Sequence, residues 1–159
     1  MTSQVLTDQS IAIRAFSALL HGHAAVTRQL NTLLSAEHGL TLSDYGVLLR
    51  LARAPGRRLR RVDLAVAVLL TASGITRLLD GLERSGLVER HACTSDRRVV
   101  YAVLTDAGLA KLHEAAESHV AQIEELFGAY FDPAEQQVLG ELLARIDGVS
   151  PGTCRPPDA

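Results

Sequence analysis

The chain has 159 residues, 47% of them hydrophobic and 21% charged, a globular composition with room for one domain-sized core or a small lobe with a helical annex. No apolar run is long enough to cross a bilayer, and the start, MTSQVLTDQS, has neither the basic nor the apolar region of a signal peptide, so a cytoplasmic location is expected. The net charge of −2 conceals an asymmetry: residues 53–98 hold ten arginines against five acids, a balance of +5, while the remainder holds six basic and thirteen acidic residues, a balance of −7. A basic middle between acidic ends points to a polyanion partner for the middle alone.

The first predicted element is a long helix over residues 8–37, with Phe16, Leu19, Leu20, Val26, Leu30, Leu33 and Leu34 recurring near a 3.6-residue period, Asp8 as its N-cap and Gly39 as its stop. Thr41 or Ser43 caps a second helix over residues 44–53, which presents Tyr45, Val47, Leu48, Leu49 and Leu51 and ends at Pro55-Gly56. A basic loop follows, containing Arg57, Arg58, Arg60 and Arg61, then a short helix over residues 62–69. Thr71 caps the next helix, residues 72–85, which Gly86 stops. Two short helices joined by so tight a turn make a helix-turn-helix. Residues 87–91 and 99–104 read as strands around a polar tip, residues 93–98, and form a hairpin. A long helix then runs over residues 105–131 with the stripe Leu112, Ala116, Val120, Ile123, Phe127 and Tyr130. Asp132, Pro133 and Glu135 are an N-cap, N1 and N3 set for a last helix to residue 149 with Val138, Leu139, Leu142, Leu143 and Ile146 on one face. Residues 150–159 are Pro-rich and expected to be disordered.

The predicted order is thus α-α-(β)-α-α-β-β-α-α, a mainly α fold with a small β wing. Residues 41–104 form a winged helix-turn-helix; residues 1–40 and 105–149 form a helical region. Three long amphipathic stripes exceed what so small a lobe can cover, which predicts pairing with a second copy rather than packing of the three helices on each other alone.

Along this order the motifs Asp63-Leu64-Ala65, Ser73 to Asp80, Leu82 to Val88, Ser95-Asp96-Arg97-Arg98 and Leu104 to Gly108 stand at the spacing of one known family. The chain resembles the MarR family from residue 8 to residue 149. The resemblance implies a homodimeric regulator of transcription that binds duplex DNA, usually as a repressor. It also implies that a small anionic or phenolic effector binds between the helical and DNA lobes. Candidate effector residues are Arg14, His21, Tyr45, Arg50 and His113, each of which is also readable as an ordinary surface or packing residue.

The helix over residues 72–85 is the one expected in the major groove. Ala72, Ser73, Gly74 and Thr76 are small enough to let the backbone approach, and helix N-terminal amides attract phosphate. Arg77 has the reach and fork for guanine or phosphate, the competing reading being an ion pair with Asp80 or another nearby acid. Ser95, Asp96, Arg97 and Arg98 form the wing tip: the arginines face the minor groove or its backbone, and Asp96 orders the tip. The basic loop arginines supply non-specific phosphate attraction or solvate the loop.

The sequence carries no Gly-rich phosphate loop, nucleophile elbow or metal motif, so neither an enzyme nor a cofactor is expected. Cys93 and Cys154 make no disulfide framework and no zinc site. Cys93, at the base of the wing, raises the alternative of a redox-sensing regulator, but nothing nearby in sequence lowers its pKa, and an inert or buried thiol is the expectation. Most of the six histidines read as surface or satisfied residues. A third reading, a winged helix used only for protein contact, does not explain arginines on both the helix and the wing tip.

Overall fold

The computed structural model describes residues 10–96, 98–146 and 157. Its elements are α1 (Ile11–His38), α2 (Leu42–Arg53), β1 (Arg58–Arg60), α3 (Arg61–Ala67), α4 (Ala72–Arg84), β2 (Val88–Ala92), β3 (Val100–Leu104), α5 (Asp106–Tyr130) and α6 (Pro133–Leu143). The order is the one expected. The strands form one antiparallel sheet, β1-β3-β2, with Leu59 opposite Ala102 and Arg90 opposite Ala102 on the other side.

Local chemistry sets most boundaries. Thr41 caps α2 and forms a reciprocal capping box with Asp44, and Asp132 does the same with Glu135 at α6, where Pro133 occupies N1. The expected Asp8 cap lies outside the described residues; Ser10 caps α1 instead, accepting from the Ile13 amide at 3.3 Å. The basic loop holds the strand that the predicted order carried in parentheses: a single 3-10 turn over Pro55–Arg57 leads into β1, which β3 pairs along its length. The last helix ends at Leu143, and residues 147–149 of its expected span, with all of the tail but Pro157, lie outside the described residues.

The core sits under α2, whose Tyr45, Val47, Leu48, Leu49 and Leu51 are all buried. It takes in Leu64 and Ala65 of α3, Ile75, Leu79 and Leu82 of α4, and Val88, Ala102 and Leu104 of the sheet. It also draws Leu34 from α1 and Leu112, Ala115 and Ala116 from α5, so the winged region completes its interior with residues on both sides of 41–104. Outside it the burial stops abruptly. In α1 only Leu30 and Leu34 are buried, and α6 buries nothing.

The sheet and α5 are joined by a tight corner. Thr105 caps α5 by accepting from the Gly108 amide at 2.9 Å and donates its hydroxyl to the Gly86 carbonyl at 2.7 Å. Its own amide bonds the Leu87 carbonyl at 3.2 Å. Gly108 packs so closely that a Cβ there would lie 2.1 Å from the Leu87 oxygen. The run Leu104-Thr105-Asp106-Ala107-Gly108 is therefore a fastener that fixes the wing's second strand to the helical region.

Candidate nucleic-acid interface

Helices α3 and α4 meet at a bend of 106°, the geometry of a helix-turn-helix. Helix α4 turns Ile75, Leu79 and Leu82 into the core, at spacings of four and three, which leaves Ala72, Ser73 and Arg77 on the opposite, exposed side. At its N-terminus Thr71 accepts from the Gly74 amide at 3.1 Å. A Cβ on Gly74 would stand 3.1 Å from that same Thr71 oxygen, so glycine makes room for the cap as well as for any approaching backbone. The Ala72 and Ser73 amides precede the capped position and face outward with the positive end of the helix dipole. Thr76 donates its hydroxyl to the Ala72 carbonyl at 2.8 Å, which leaves its oxygen lone pairs to receive a donor.

The competing partner for Arg77 is occupied. Asp80 pairs at 2.7 Å with Arg90 of β2, and Arg90 also bonds Glu83 from both Nε (2.8 Å) and Nη2. Glu83 and Asp80 together hold the Arg90 guanidinium, Glu83 foremost, and raise its pKa above the ordinary arginine value. Arg77 is exposed and has no ion-pair partner among the described residues. The Arg90 cluster ties the recognition helix to the wing. Sequence reading missed it, although strand alternation signals it: Arg90 lies on the same side of β2 as buried Val88.

At the wing tip Asp96 accepts from the Arg98 amide at 2.9 Å, a local turn that closes the hairpin, while the Val99 amide bonds the Asp96 carbonyl. The carboxylate thus orders the tip, and the Arg98 side chain is exposed. Arg97 lies outside the described residues. Ser95 is exposed, with its hydroxyl 3.1 Å from the Cys93 sulfur. That contact corrects the expectation for Cys93. The thiol is half-exposed rather than buried, and the Ser95 hydroxyl, with the Asp96 and Ser95 amides, lowers its pKa. Cys154 lies outside the described residues.

Three of the four loop arginines have work inside the molecule. Arg57 reaches Asp106 at 3.0 Å, Arg60 grips Asp63 through two bonds, and Arg58 stacks over Tyr101 at 4.3 Å. Arg61 alone of the four has no such partner among the described residues.

The effector candidates do not converge on one described cavity. Arg14, His21 and Arg50 are exposed, and His21 bonds its own helix through the Ser17 carbonyl. His113 is half-buried. Tyr45 is a core residue, its ring 4.6 Å from that of His119. His119 is an exception to the reading of most histidines as surface or satisfied: it is 3% exposed, with no partner at Nδ1 among the described residues. A cleft of about 620 Å³ between α1 and α5 is lined instead by residues that include Arg28, Thr32, Leu33, Gln122 and Tyr130. No cluster of His, Cys, Asp and Glu suited to a metal occurs among the described residues, and no single helix there is long and apolar enough to cross a membrane.

Residues 38–99 match the model of the MarR family. The chain is 31% identical over 127 residues to the HTH-type transcriptional repressor YetL of Bacillus subtilis, covering 76% of each. AbsC, a MarR family transcriptional regulator from Streptomyces coelicolor, superposes with a TM-score of 0.75 at 32% identity, over 90% of this chain and 95% of that one. Sco3205, a MarR family regulator from the same organism solved in complex with DNA, gives 0.77 at 28% identity, over 89% and 90%. With the helix-turn-helix, the wing and its fastener all in place, and with relatives that regulate transcription rather than catalyse reactions, the chain belongs to the MarR family of transcriptional regulators.

Proposed function

We propose that two copies associate through α1, α5 and α6 and present two α4 helices to a pseudo-palindromic duplex, with half-site centres roughly one helical turn, about 10 bp, apart. The observation that carries this reading is the exposed face of Ala72, Ser73 and Arg77, with Arg77 unpaired among the described residues while Arg90 takes Asp80 and Glu83. In this reading Ser73, Thr76 and the first amides of α4 contact phosphate or base edges, and Arg77 reads guanine. Arg97 and Arg98 supply charge at the adjacent minor groove. The pairing follows from the apolar residues that one copy leaves uncovered: Ile11, Phe16 and Leu20 on α1, Val138 and Leu142 on α6, and Ile146 just beyond it. Repression is the mode adopted, since the relative YetL is a repressor. Response to a small anionic or phenolic effector, and a cytoplasmic location, complete the reading by family likeness.

The test compares Arg77→Ala and Arg97→Ala on specific and scrambled duplexes across a salt series. Arg77→Ala is expected to lose about 1–3 kcal/mol on the specific duplex and to relax sequence preference. Arg97→Ala is expected to weaken all duplexes and to flatten the salt dependence by about one unit of slope. Binding of Arg77→Ala indistinguishable from the wild type on the specific duplex would overturn the assignment of α4.

A further inference from the structure

Two helices of the DNA lobe end in the same hydrogen-bonded motif with different residues at its critical position. At the end of α4 the Gly86 amide bonds the Glu83 carbonyl and the Leu87 amide bonds the Leu82 carbonyl, with Gly86 left-handed at φ 72°. At the end of α3 the Leu69 amide bonds the Val66 carbonyl and the Leu70 amide bonds the Ala65 carbonyl, with Leu69 left-handed at φ 56°. This is the Schellman pattern, whose left-handed residue is usually glycine because a Cβ is strained there. The end of α1 likewise uses a left-handed glycine, Gly39. Leu69 departs from both, and its side chain gains no packing in return, being 92% exposed. Strain combined with exposure of a large apolar group is a double cost, which marks the side chain as serving a contact outside the chain.

The position of Leu69 narrows the contact. It stands two residues before Thr71, the cap of α4, so its Cα lies within about 8 Å of the end of the helix that carries Ala72 and Ser73. Resting on the proposed DNA-binding reading, we infer that Leu69 is a specificity-determining residue whose side chain packs on the 5-methyl group of a thymine in each half-site. Among base edges in the major groove that methyl is the apolar feature, and aliphatic side chains read it by contact. A branched apolar side chain projecting beside the recognition helix gains nothing from phosphate.

The experiment uses the full chain and a duplex selected by it from random sequence. Each thymine of the half-sites is replaced in turn by deoxyuridine, which lacks only the methyl group. For the wild type, one thymine per half-site is expected to matter, weakening binding about 4-fold when one half-site is changed and about 15-fold when both are, the factors for one and two buried methyl groups. Leu69→Gly and Leu69→Asn, both compatible with a left-handed backbone, are expected to bind thymine and deoxyuridine duplexes equally. Leu69→Gly is also expected to melt at or above the wild-type temperature. A wild type indifferent to every replacement overturns the inference, as does a Leu69→Gly chain that keeps the thymine preference or loses affinity equally on all duplexes. A wild type that selects no duplex at all overturns the DNA reading itself and this inference with it.

Discussion

The winged lobe and the helical arms solve the problem of burial in opposite ways. In the lobe, short elements cross one another, and Leu48, Leu51, Leu64, Leu79 and Val88 are sealed within one chain. The arms are long and regular, yet much of the apolar surface of α1 and α6 is left uncovered, with Ile11 78% exposed and Phe16, Leu20, Val138 and Leu142 also open. Each fully buried aliphatic side chain contributes about 1.5–3 kcal/mol, so the lobe has its stabilisation in hand and the arms have most of theirs still to gain. The teaching is one of order. The DNA-reading surface can be shaped within one copy, whereas in the proposed pairing its spacing from a second such surface depends on contacts that a single copy lacks.

The sharpest way to break this contrast is at the corner where the two regions meet. Gly108→Ala puts a methyl group 2.1 Å from the Leu87 carbonyl oxygen and 2.7 Å from a Leu104 methyl. Strand ends are not compressible, so the corner must open. A loss of about 3 kcal/mol or more per chain is expected, with a melting temperature lower by roughly 10 °C. Thermal unfolding measures it, and a variant that melts with the wild type would show that the corner is not the fastener described here.

The second prediction separates the two regions. Leu142→Glu places a charge in the uncovered stripe of α6 without touching the lobe's core, and in the proposed twofold pairing the change counts twice. Association is expected to weaken by about 2–3 kcal/mol or more per dimer. Sedimentation should show lower mass at micromolar concentration, while amide exchange keeps Leu48, Leu51 and Leu79 protected. A wild type that sediments as a monomer would remove the reason for the arms altogether.

The third is smaller and lies inside the lobe. Arg90→Ala releases Asp80 and Glu83, which frees the wing from the recognition helix. All three groups are partly exposed, so solvent screening limits the stability cost to about 1 kcal/mol. Specific affinity should fall severalfold, because the wing and α4 no longer hold one spacing. Unchanged affinity beside a lowered melting temperature would confine Arg90 to a structural role.

What was legible in the sequence follows the reach of each interaction. Caps act over three residues, so Asp132 with Glu135 could be read directly and the α2 cap narrowed to Thr41 or Ser43, and the apolar face of Tyr45, Val47, Leu48, Leu49 and Leu51 could be read from the pattern alone. The recognition helix and the hairpin were placed within a residue or two. Interactions that join distant segments were not legible. Asp80, weighed only as an alternative partner for Arg77 three residues away, pairs with Arg90 of β2, beyond the turn that ends α4. β1 could be given a place in the order but not a partner, because its ladder comes entirely from β3, more than forty residues later. Leu69 shows the remaining gap: nothing in the side chain announces a left-handed backbone, and the conformation is imposed by the two carbonyls that end α3.

The smallest predicted effect concerns His119, which lies where the lobe and α5 share their core. Its spacing from Leu112 and from Ala115 and Ala116 places it on the buried face of α5. The Tyr45 ring of α2 packs on it, and His38 of α1 acts on it electrostatically. Burial first, and His38 second, hold its pKa below the ordinary histidine value of 6.5. The unfolded chain therefore binds a proton more readily than the folded one, and stability rises with pH wherever the two differ. The contribution of a neutral His119 is complete above pH 6.5, where both states are deprotonated, and is lost progressively as pH falls from there through the folded-state value. His119→Leu removes the titration while keeping an apolar side chain against Tyr45. The stability difference, wild type minus variant, should be level between pH 7 and 8 and should fall as pH drops from 6.5 to 5. Chemical denaturation at fixed pH values measures both curves. A difference that stays level throughout would mean that His119 protonates as easily in the folded chain as outside it, and one that grows toward low pH would mean that the folded state stabilises the imidazolium.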